Sequence, residues 1–196
     1  IKLTITNYPE GQSETFEVEN NPNDPEAGTR PVTFSRNLYV ESDDFLETPI
    51  PKYKRLYPDG PECRLKGAYL IKCTGCVKDE QGNVVEILAT YDPDSKGGNP
   101  ADGRKVKGAT IHWVDAETAV DAQVRLYDNL FADENPDGGD KDFLDCLNPG
   151  SLEVLEGCKL EASLANAQPS DRFQFLRLGY FCADSKDSKP GALVFN

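Results

Sequence analysis

Apolar residues in this chain occur in short segments in which they alternate with polar residues, the pattern of a β-strand with one buried face. Residues 2–7 and 120–127 show this alternation most clearly. Residues 68–73 and 84–89 flank a turn that contains Gly82, which predicts a hairpin with that glycine in a left-handed conformation. Many such segments, separated by turns that draw on 16 Gly and 14 Pro, predict an all-β sandwich or barrel fold.

The remaining elements are also predicted to be short. Strands are expected over residues 106–114 and 173–181, and a last one over 192–196. Helical patterns are weak, and the candidates are residues 142–147 and 160–167. Because only 38% of the 196 residues are hydrophobic and they come in short runs, the sequence favours one large domain with several small cores, or two domains of about 100 residues.

The composition also predicts the setting of the protein. No apolar run approaches the roughly 18 residues that a membrane span needs, so no membrane association is expected. Six cysteines in a long chain without secretory features predict free thiols and a cytoplasmic location. The chain has no methionine and has strand-like segments at both ends, which predicts that it is part of a longer protein.

Positive charge is concentrated in two segments of an acidic chain. Residues 51–78 contain seven basic and two acidic residues, and residues 96–107 contain four basic residues and one acidic residue. Since the total charge is −13, these islands of +5 and +3 leave −21 for the rest of the chain. Such a distribution gives a directional field, which can hold a phosphate backbone at one surface and repel it elsewhere.

Patterns for catalysis and metal binding are weak by comparison. The one histidine, His112, lies beside Trp113 in a predicted strand, where a structural role is more common than general-base catalysis. Cys73 and Cys76, with Cys63 nearby in sequence, lack the second ligand pair of a zinc site. An acidic turn at residues 133–138 matches only the first half of a calcium loop. The sequence therefore predicts neither catalytic residues nor a metal site.

The basic islands leave two interpretations open. A solvated face with scattered ion pairs is the common outcome for lysine-rich segments. However, Arg55 and Arg64 lie near Tyr53, Tyr57 and Tyr69 in sequence. An arginine fork can bind a base edge or a phosphate through two hydrogen bonds, and tyrosine can stack on an unpaired base. The residues alone fit an RNA-binding surface as well as a solvated face.

Several longer motifs carry a family resemblance. They lie at residues 53–56, at 101–108 followed by 111–114, at 125–131, and at 173–175 with 179–181. With these motifs the chain resembles, nearly from end to end, the C-terminal anticodon-binding domain of glutaminyl-tRNA synthetase, a class I aminoacyl-tRNA synthetase. The run from residue 102 to residue 114 is long and unusual, which argues against chance similarity.

The resemblance implies an all-β fold of two barrels, proximal and distal, with a few short helices. Barrels of this type are similar to those of a ribosomal protein family that binds 5S ribosomal RNA. Residues 1–19 and 111–196 are expected to form the proximal barrel, and residues 20–110 the distal one.

The resemblance also implies contacts with the anticodon, whose three bases are held in separate pockets. Lys54 and Arg55 match family residues at the third anticodon base and its phosphates, and Arg64 matches a residue at the first base. Gln174 and Arg177 match residues at the central uridine. A further polar contact is matched by the residue at position 23, Asn23.

Two positions of the first island depart from the family pattern. Two further RNA contacts are expected from the second island. Lys66 stands where a second arginine is common, and Lys52 stands where glutamine is common. Lysine keeps the charge but lacks the planar fork, so a phosphate contact suits Lys66 better than a bidentate base contact. Arg104 and Lys105 of the second island complete the predicted RNA-binding set.

By resemblance, the partners are the anticodon loop of tRNA(Gln) and an N-terminal catalytic domain of the same protein, which would bind ATP and Mg²⁺ and ligate glutamine to the tRNA. The chain itself is expected to be non-catalytic, without a cofactor, and monomeric. Alternatives are the equivalent domain of an archaeal or eukaryotic-type glutamyl-tRNA synthetase and a structural ribosomal-RNA-binding barrel. A protein-interaction or carbohydrate-binding β module is a further alternative, which predicts no salt-dependent RNA affinity.

Overall fold

A computed structural model describes residues 1–139 and 142–196 of the chain. Within these residues the regular structure consists of β-strands and short 3-10 helices. The strands are β1 Lys2–Ile5, β2 Ser13–Glu19, β3 Thr29–Ser35, β4 Asn37–Tyr39, β5 Cys63–Leu65, β6 Leu70–Lys78, β7 Val84–Asp92, β8 Thr110–Ile111, β9 Val114–Asp115, β10 Val120–Tyr127, β11 Leu152–Leu160, β12 Arg172–Phe175, β13 Gly179–Cys182 and β14 Leu193–Phe195. The 3-10 helices are Pro25–Ala27, Ser42–Asp44, Pro93–Ser95, Phe143–Cys146 and Ala162–Asn166.

The first of two compact units comprises Ile1–Ala119 and Glu161–Ser163. Its main sheet has seven strands in the order β8-β5-β6-β7-β1-β4-β9, and β2 and β3 form a separate hairpin. β1 is an interior strand, because it pairs in parallel with β7 and antiparallel with β4. Its alternating side chains Leu3 and Ile5 are fully buried, together with Phe34 and Trp113 of the same core.

The second unit comprises Val120–Leu160 and Leu164–Asn196. It contains the sheet β11-β10-β14 and the hairpin β12-β13. Ala122 and Val124 of β10 are buried in its core, which also contains Phe195. The rings of Phe175 and Phe181 stack at 4.4 Å across the β12-β13 hairpin. Both units are therefore all-β, and the predicted fold class is confirmed.

Several elements predicted from the sequence are present in the structure. β1 and β10 lie within residues 2–7 and 120–127, and β6 and β7 form the predicted hairpin. Gly82 in its turn has a φ of 87°, as expected. Residues 193–195 form the last strand, and the two weak helical segments form the 3-10 helices Phe143–Cys146 and Ala162–Asn166.

Two predicted long strands are wrong. Only Thr110–Ile111 and Val114–Asp115 are strands within residues 106–114. The predicted strand over residues 173–181 is instead the hairpin of β12 and β13. It reverses because Arg177 adopts a φ of 67°, and because the amide of Leu178 donates to the carbonyl of Phe175 at 3.0 Å. Apolar residues continue through this turn, which hides it from the sequence pattern.

The grouping of the first residues differs from the predicted barrel boundary. Residues 1–19 were expected with 111–196, apart from 20–110. In the structure they group with the rest of residues 1–119, because β1 pairs with β4 and β7 and because β2 pairs with β3. Pairing along most of β2 and β3, from Glu14–Phe34 to Glu19–Thr29, fixes this grouping.

All six cysteines are free thiols, as the sequence predicts. Burial raises the pKa of Cys63 to about 12 and that of Cys73 to about 11. Within residues 1–139 and 142–196, no group of three or more histidine, cysteine, aspartate or glutamate side chains is arranged to hold a metal ion. No helix in that part of the chain is long and apolar enough to cross a membrane.

Candidate nucleic-acid interface

The segment Lys52–Leu56 follows a tight turn and is fixed by the buried residue at its end. Lys52 has a φ of 68°, which is uncommon for a residue with a side chain. Leu56 is fully buried, and its amide donates to the carbonyl of Asp44 at 2.9 Å. Since Leu56 anchors the segment, Lys54 and Arg55 are presented at the surface of the first unit from a fixed backbone.

The guanidinium of Arg55 is held on one side by two acidic residues, Asp43 and Asp44. Its Nη1 lies 3.2 Å from Oδ1 of Asp44 and donates to the carbonyl of Asp43 at 3.3 Å. The same carbonyl accepts a hydrogen bond from the hydroxyl of Tyr53 at 3.0 Å. Within the described part of the chain, Nε and Nη2 of Arg55 have no hydrogen-bond partner. The side chain is 39% exposed, so this second edge of the guanidinium remains available to a ligand.

Arg64 is held in a similar way by one nitrogen. Its Nε donates to the carbonyl of Gly98 at 2.8 Å, and the two terminal nitrogens have no partner among the residues described. Gly98 has a φ of 83°, and its amide donates to the carbonyl of Ser95, so the loop that supplies the carbonyl is itself ordered by a turn. The guanidinium of Arg64 therefore has a defined position and unused donors.

Ala109 joins the two segments that carry these arginines. Its amide donates to the carbonyl of Lys54 at 2.7 Å, and its carbonyl accepts from the amide of Arg64 at 3.0 Å. The adjacent Gly108 donates its amide to the carbonyl of Glu62 at 3.0 Å. A Cβ at position 108 would overlap that carbonyl and lie 2.7 Å from Sγ of Cys63, so this close approach requires glycine. The residues directly after the second basic island thus pack against the first one, and Gly98 and Arg104 of the second island also contact Arg64 and Glu62 of the first.

Three lysines of the two basic islands are not used in ion pairs within the described residues. Lys54 and Lys105 are exposed and Lys66 is half-buried. In the described residues none of these three ammonium groups forms an ion pair. The backbone of Lys66 is fixed, because its carbonyl accepts from Nε1 of Trp113 at 3.1 Å. Flexible cations on a fixed backbone suit phosphate groups, whose binding requires charge more than exact geometry.

Arg104 differs from the other predicted contacts because its guanidinium is already surrounded by carboxylates. Nε and Nη2 donate to the two oxygens of Glu62, Nη2 also donates to Asp92, and Nη1 donates to Asp102. These carboxylates raise the pKa of Arg104 well above its usual range. A phosphate could reach this guanidinium only in competition with three carboxylates, so the predicted RNA contact of Arg104 is the weakest of the set.

Asn23 lies in a different loop of the same unit. It is exposed in the loop between β2 and β3, and its backbone amide donates to Oδ1 of Asn21 at 3.0 Å. The following residue, Asp24, caps the helix Pro25–Ala27 by accepting from the amide of Glu26. The loop is shaped by local turns, and the structure places no other predicted contact residue in it.

The second unit carries Gln174 and Arg177. Gln174 is an exposed residue of β12, and Arg177 occupies the turn that leads to β13. Directly across the hairpin from Gln174 lies Tyr180, whose side chain is 84% exposed. Tyr180 is absent from the contacts predicted above, because residues 173–181 were expected to form one strand. A turn signal at Gly179 would have placed Tyr180 and Gln174 in one cross-strand pair.

Two family models, both described as tRNA synthetases class I (E and Q), anti-codon binding domain, match residues 1–92 and 110–184. The chain belongs to this family. The matches cover Lys54, Arg55 and Arg64 in the first unit and Gln174 and Arg177 in the second. The family resemblance predicted from the sequence motifs is confirmed.

Curated relatives align with this chain over its whole length. Proteins named glutamine–tRNA ligase from Clostridium kluyveri, Pseudomonas putida and Bordetella pertussis are 53%, 55% and 56% identical to it. Each alignment covers 100% of this chain and 35%, 34% and 33% of the relative, respectively. The chain therefore spans about a third of the length of the curated relatives that it matches.

Proposed function

We propose that this chain is the anticodon-binding domain of a glutamine–tRNA ligase and that it reads the anticodon of tRNA(Gln). The observation that carries the proposal is the placement of Arg55 and Arg64 on either side of Ala109, each held through part of its guanidinium and each with unused donors. The name shared by relatives that are 53–56% identical over the full chain supports the amino-acid specificity.

Arginines and lysines at this surface would have different tasks. A held guanidinium presents donors in a fixed plane, which suits the edge of an unstacked base. An exposed lysine such as Lys54 or Lys105 presents a mobile charge, which suits a phosphate and carries no sequence information. We assign base discrimination to Arg55 and Arg64, and backbone affinity to the lysines, including Lys52 and Lys66.

The β12-β13 hairpin would read the central base. The amide side chain of Gln174 offers both a donor and an acceptor, as the Watson–Crick edge of uridine requires. Tyr180, across the hairpin, offers an exposed ring on which a base can stack. We add Tyr180 to the residues proposed from the sequence, beside Gln174 and Arg177, while Asn23 is proposed as a separate polar contact from its own loop.

The parent protein, on this proposal, ligates glutamine to tRNA(Gln) with ATP and Mg²⁺ bound in a catalytic domain outside the present chain. The anticodon-binding domain contributes recognition and no catalytic group. We further propose a monomeric protein that acts in the cytoplasm, where its tRNA is found. Correct reading of the anticodon would then favour productive placement of the distant acceptor end, a coupling between two sites on one tRNA.

The decisive experiment measures binding of the chain to anticodon stem-loops that differ at one anticodon base, over a range of salt concentrations. The glutamine anticodon should bind best, and a stem-loop with the glutamate anticodon should bind more weakly because its third base differs. Equal binding of all stem-loops with strong salt dependence would favour the alternative of a structural RNA-binding barrel. An absence of salt-dependent RNA binding would overturn the proposal.

A further inference from the structure

Asp44 is a fully buried acidic residue next to the proposed base-reading surface. Its side chain has 0% exposure, although it carries a carboxylate. It is the last residue of the 3-10 helix Ser42–Asp44, and its Oδ1 lies 3.2 Å from Nη1 of Arg55. A buried carboxylate without a cationic partner would be strongly destabilising, so Asp44 favours conformations that keep the guanidinium of Arg55 nearby.

Backbone hydrogen bonds between the segments that carry Asp44 and Arg55 hold this pair in place. Phe45 and Leu56 form a bridge, with the amide of Leu56 donating to the carbonyl of Asp44 at 2.9 Å and the amide of Leu46 donating to the carbonyl of Leu56 at 3.0 Å. Because Leu56 is fully buried and Phe45 nearly so, neither segment can shift without opening the core. The carboxylate and the guanidinium therefore face each other from two fixed segments.

The contact leaves one edge of Arg55 for a ligand. Nη1 carries both contacts, one to the carboxylate of Asp44 and one to the carbonyl of Asp43. The N–H groups of Nε and Nη2 point in parallel from the opposite edge of a guanidinium, and two such donors match the paired acceptors of a base edge or a phosphate. In the described residues this edge of Arg55 has no partner.

We propose that Asp44 is a positioning residue for anticodon specificity, which fixes the Nε and Nη2 edge of Arg55 for bidentate contact with one anticodon base. This inference rests on the proposed function. Asp44 never touches the RNA and acts only through Arg55. Because its negative charge lies 3.2 Å from the guanidinium, it offsets the charge of Arg55, so that Arg55 contributes more to base discrimination than to phosphate affinity.

The test compares Asp44→Asn, Arg55→Ala and the double variant in the full 196-residue chain. Asparagine keeps the shape of the side chain and removes its charge. Glu47→Gln is the matched control. Glu47 lies three residues after Asp44 and also forms an ion pair, with Lys78 at 2.6 Å, but its side chain is exposed. Each variant is titrated with the glutamine stem-loop and its single-base variants at several salt concentrations.

Arg55→Ala should lower discrimination at one anticodon position by about tenfold. Asp44→Asn should lower it at the same position by about threefold or more, and should leave the salt dependence nearly unchanged. The double variant should resemble Arg55→Ala, since Asp44 acts through Arg55. Glu47→Gln should behave like the unaltered chain.

A second measurement needs no RNA. Rotation of the Arg55 guanidinium, followed by NMR of its side-chain nitrogens, should be slow in the unaltered chain and faster in Asp44→Asn. If Asp44→Asn does not fold, Arg55→Lys replaces it, because lysine retains a charge for Asp44 and lacks the two-donor edge. Arg55→Lys should fold and lose discrimination as Arg55→Ala does, and retained discrimination would overturn the inference.

The outcomes separate this inference from the proposed function. No anticodon preference in the unaltered chain would reject the proposed function itself. A preference that is lost in Arg55→Ala and kept in a folded Asp44→Asn variant would reject only the positioning role. So would an additional loss of discrimination in the double variant beyond that of Arg55→Ala, since Asp44 would then act independently.

Discussion

Arg104 donates from Nε and Nη2 to the two carboxylate oxygens of Glu62, at 2.9 and 2.8 Å, although the two residues are 42 positions apart in sequence. Asp92 and Asp102 complete its surroundings at 2.6 and 2.9 Å. This cluster ties the second basic island to β7 and to the start of β5. Arg104 consequently has a structural task that its position in a basic run does not indicate.

Arg104→Ala should therefore loosen the loop on both sides of it rather than remove a phosphate contact. Without the guanidinium, three carboxylates would repel one another where they are now bridged. Amide hydrogen exchange at Gly98, Gly103 and Gly108 should become faster. An unchanged exchange pattern together with a smaller salt dependence of RNA binding would instead show that Arg104 acts as a phosphate contact.

Lys105→Ala provides the contrasting prediction at the adjacent position. Lys105 is exposed, and in the described residues it has no ion-pair partner. Its replacement should lower the affinity for all stem-loops alike and reduce the slope of log K against log salt by about 0.7, the value for one phosphate contact on a single strand. The measurement is a salt titration, and Lys72→Ala, on the exposed side of β6, serves as a control. A loss confined to one anticodon variant would contradict the assignment.

The contrast between these neighbours shows what the sequence could predict. Counting charges identified the two basic islands, but it treated Arg104 and Lys105 as equivalent. The difference between them comes from Glu62 and Asp92, which approach Arg104 only through the pairing of strands distant in sequence. Contacts of that kind depend on tertiary structure. Neither the ion pairs of Arg104 nor the burial of the Asp44 carboxylate could therefore be predicted from local patterns.

Local structure was predictable where local patterns decide it. The hairpin of β6 and β7 has short apolar segments on both sides of a turn that contains a glycine, and both features act within a few residues. The reversal between β12 and β13 was missed because Arg177, not glycine, takes the left-handed conformation after Phe175. The first part of the strand expected over residues 106–114 is absent. Around Gly108 the backbone lies too close to the carbonyl of Glu62 for a residue with a side chain.

Gly108→Ala should destabilise the first unit by about 3 kcal/mol, because the added carbon would overlap the carbonyl of Glu62 and approach Sγ of Cys63. Fluorescence of Trp113, the only tryptophan, reports unfolding of this unit in urea. Gly75→Ala is the matched control, since no atom lies within 4 Å of the position of its Cβ and its φ is not left-handed. Equal stability of the two variants would show that the backbone at Gly108 adjusts without cost.

Tyr180→Ala should weaken binding of the glutamine stem-loop by about 1–3 kcal/mol if the exposed ring supports a base. Tyr180→Phe keeps the ring and should retain most of the affinity. Leu178→Ala controls for loss of apolar surface, since Leu178 is 60% exposed on the same hairpin. The measurement is direct titration at constant salt. Equal losses for Leu178→Ala and Tyr180→Ala would count against stacking.

The stability of the second unit should depend on Asp184 at acidic pH. The pKa of Asp184 is lowered from 3.8 to about 2, chiefly by the amide of Asp187, then by the side chain of Asn196 and the amide of Lys186. These groups donate to its carboxylate at 2.7, 2.5 and 2.8 Å. Since the folded chain binds this proton less readily than the unfolded chain, the stabilisation is complete above about pH 4 and is lost as the pH falls towards 2.

Asp184→Asn removes this ionisation and should flatten the dependence of the free energy of unfolding on pH between about 4 and 2. Urea unfolding followed by circular dichroism at several pH values measures the slope, and an NMR titration of the Asp184 carboxyl group measures its pKa directly. Asp121→Asn, at a position where the side chain is 69% exposed, is the control in the same unit and should leave the slope nearly as it is. If the slopes of the Asp184→Asn variant and the unaltered chain coincide, the hydrogen bonds to Asp184 do not stabilise the folded state, and the acid sensitivity of the second unit must come from other carboxylates.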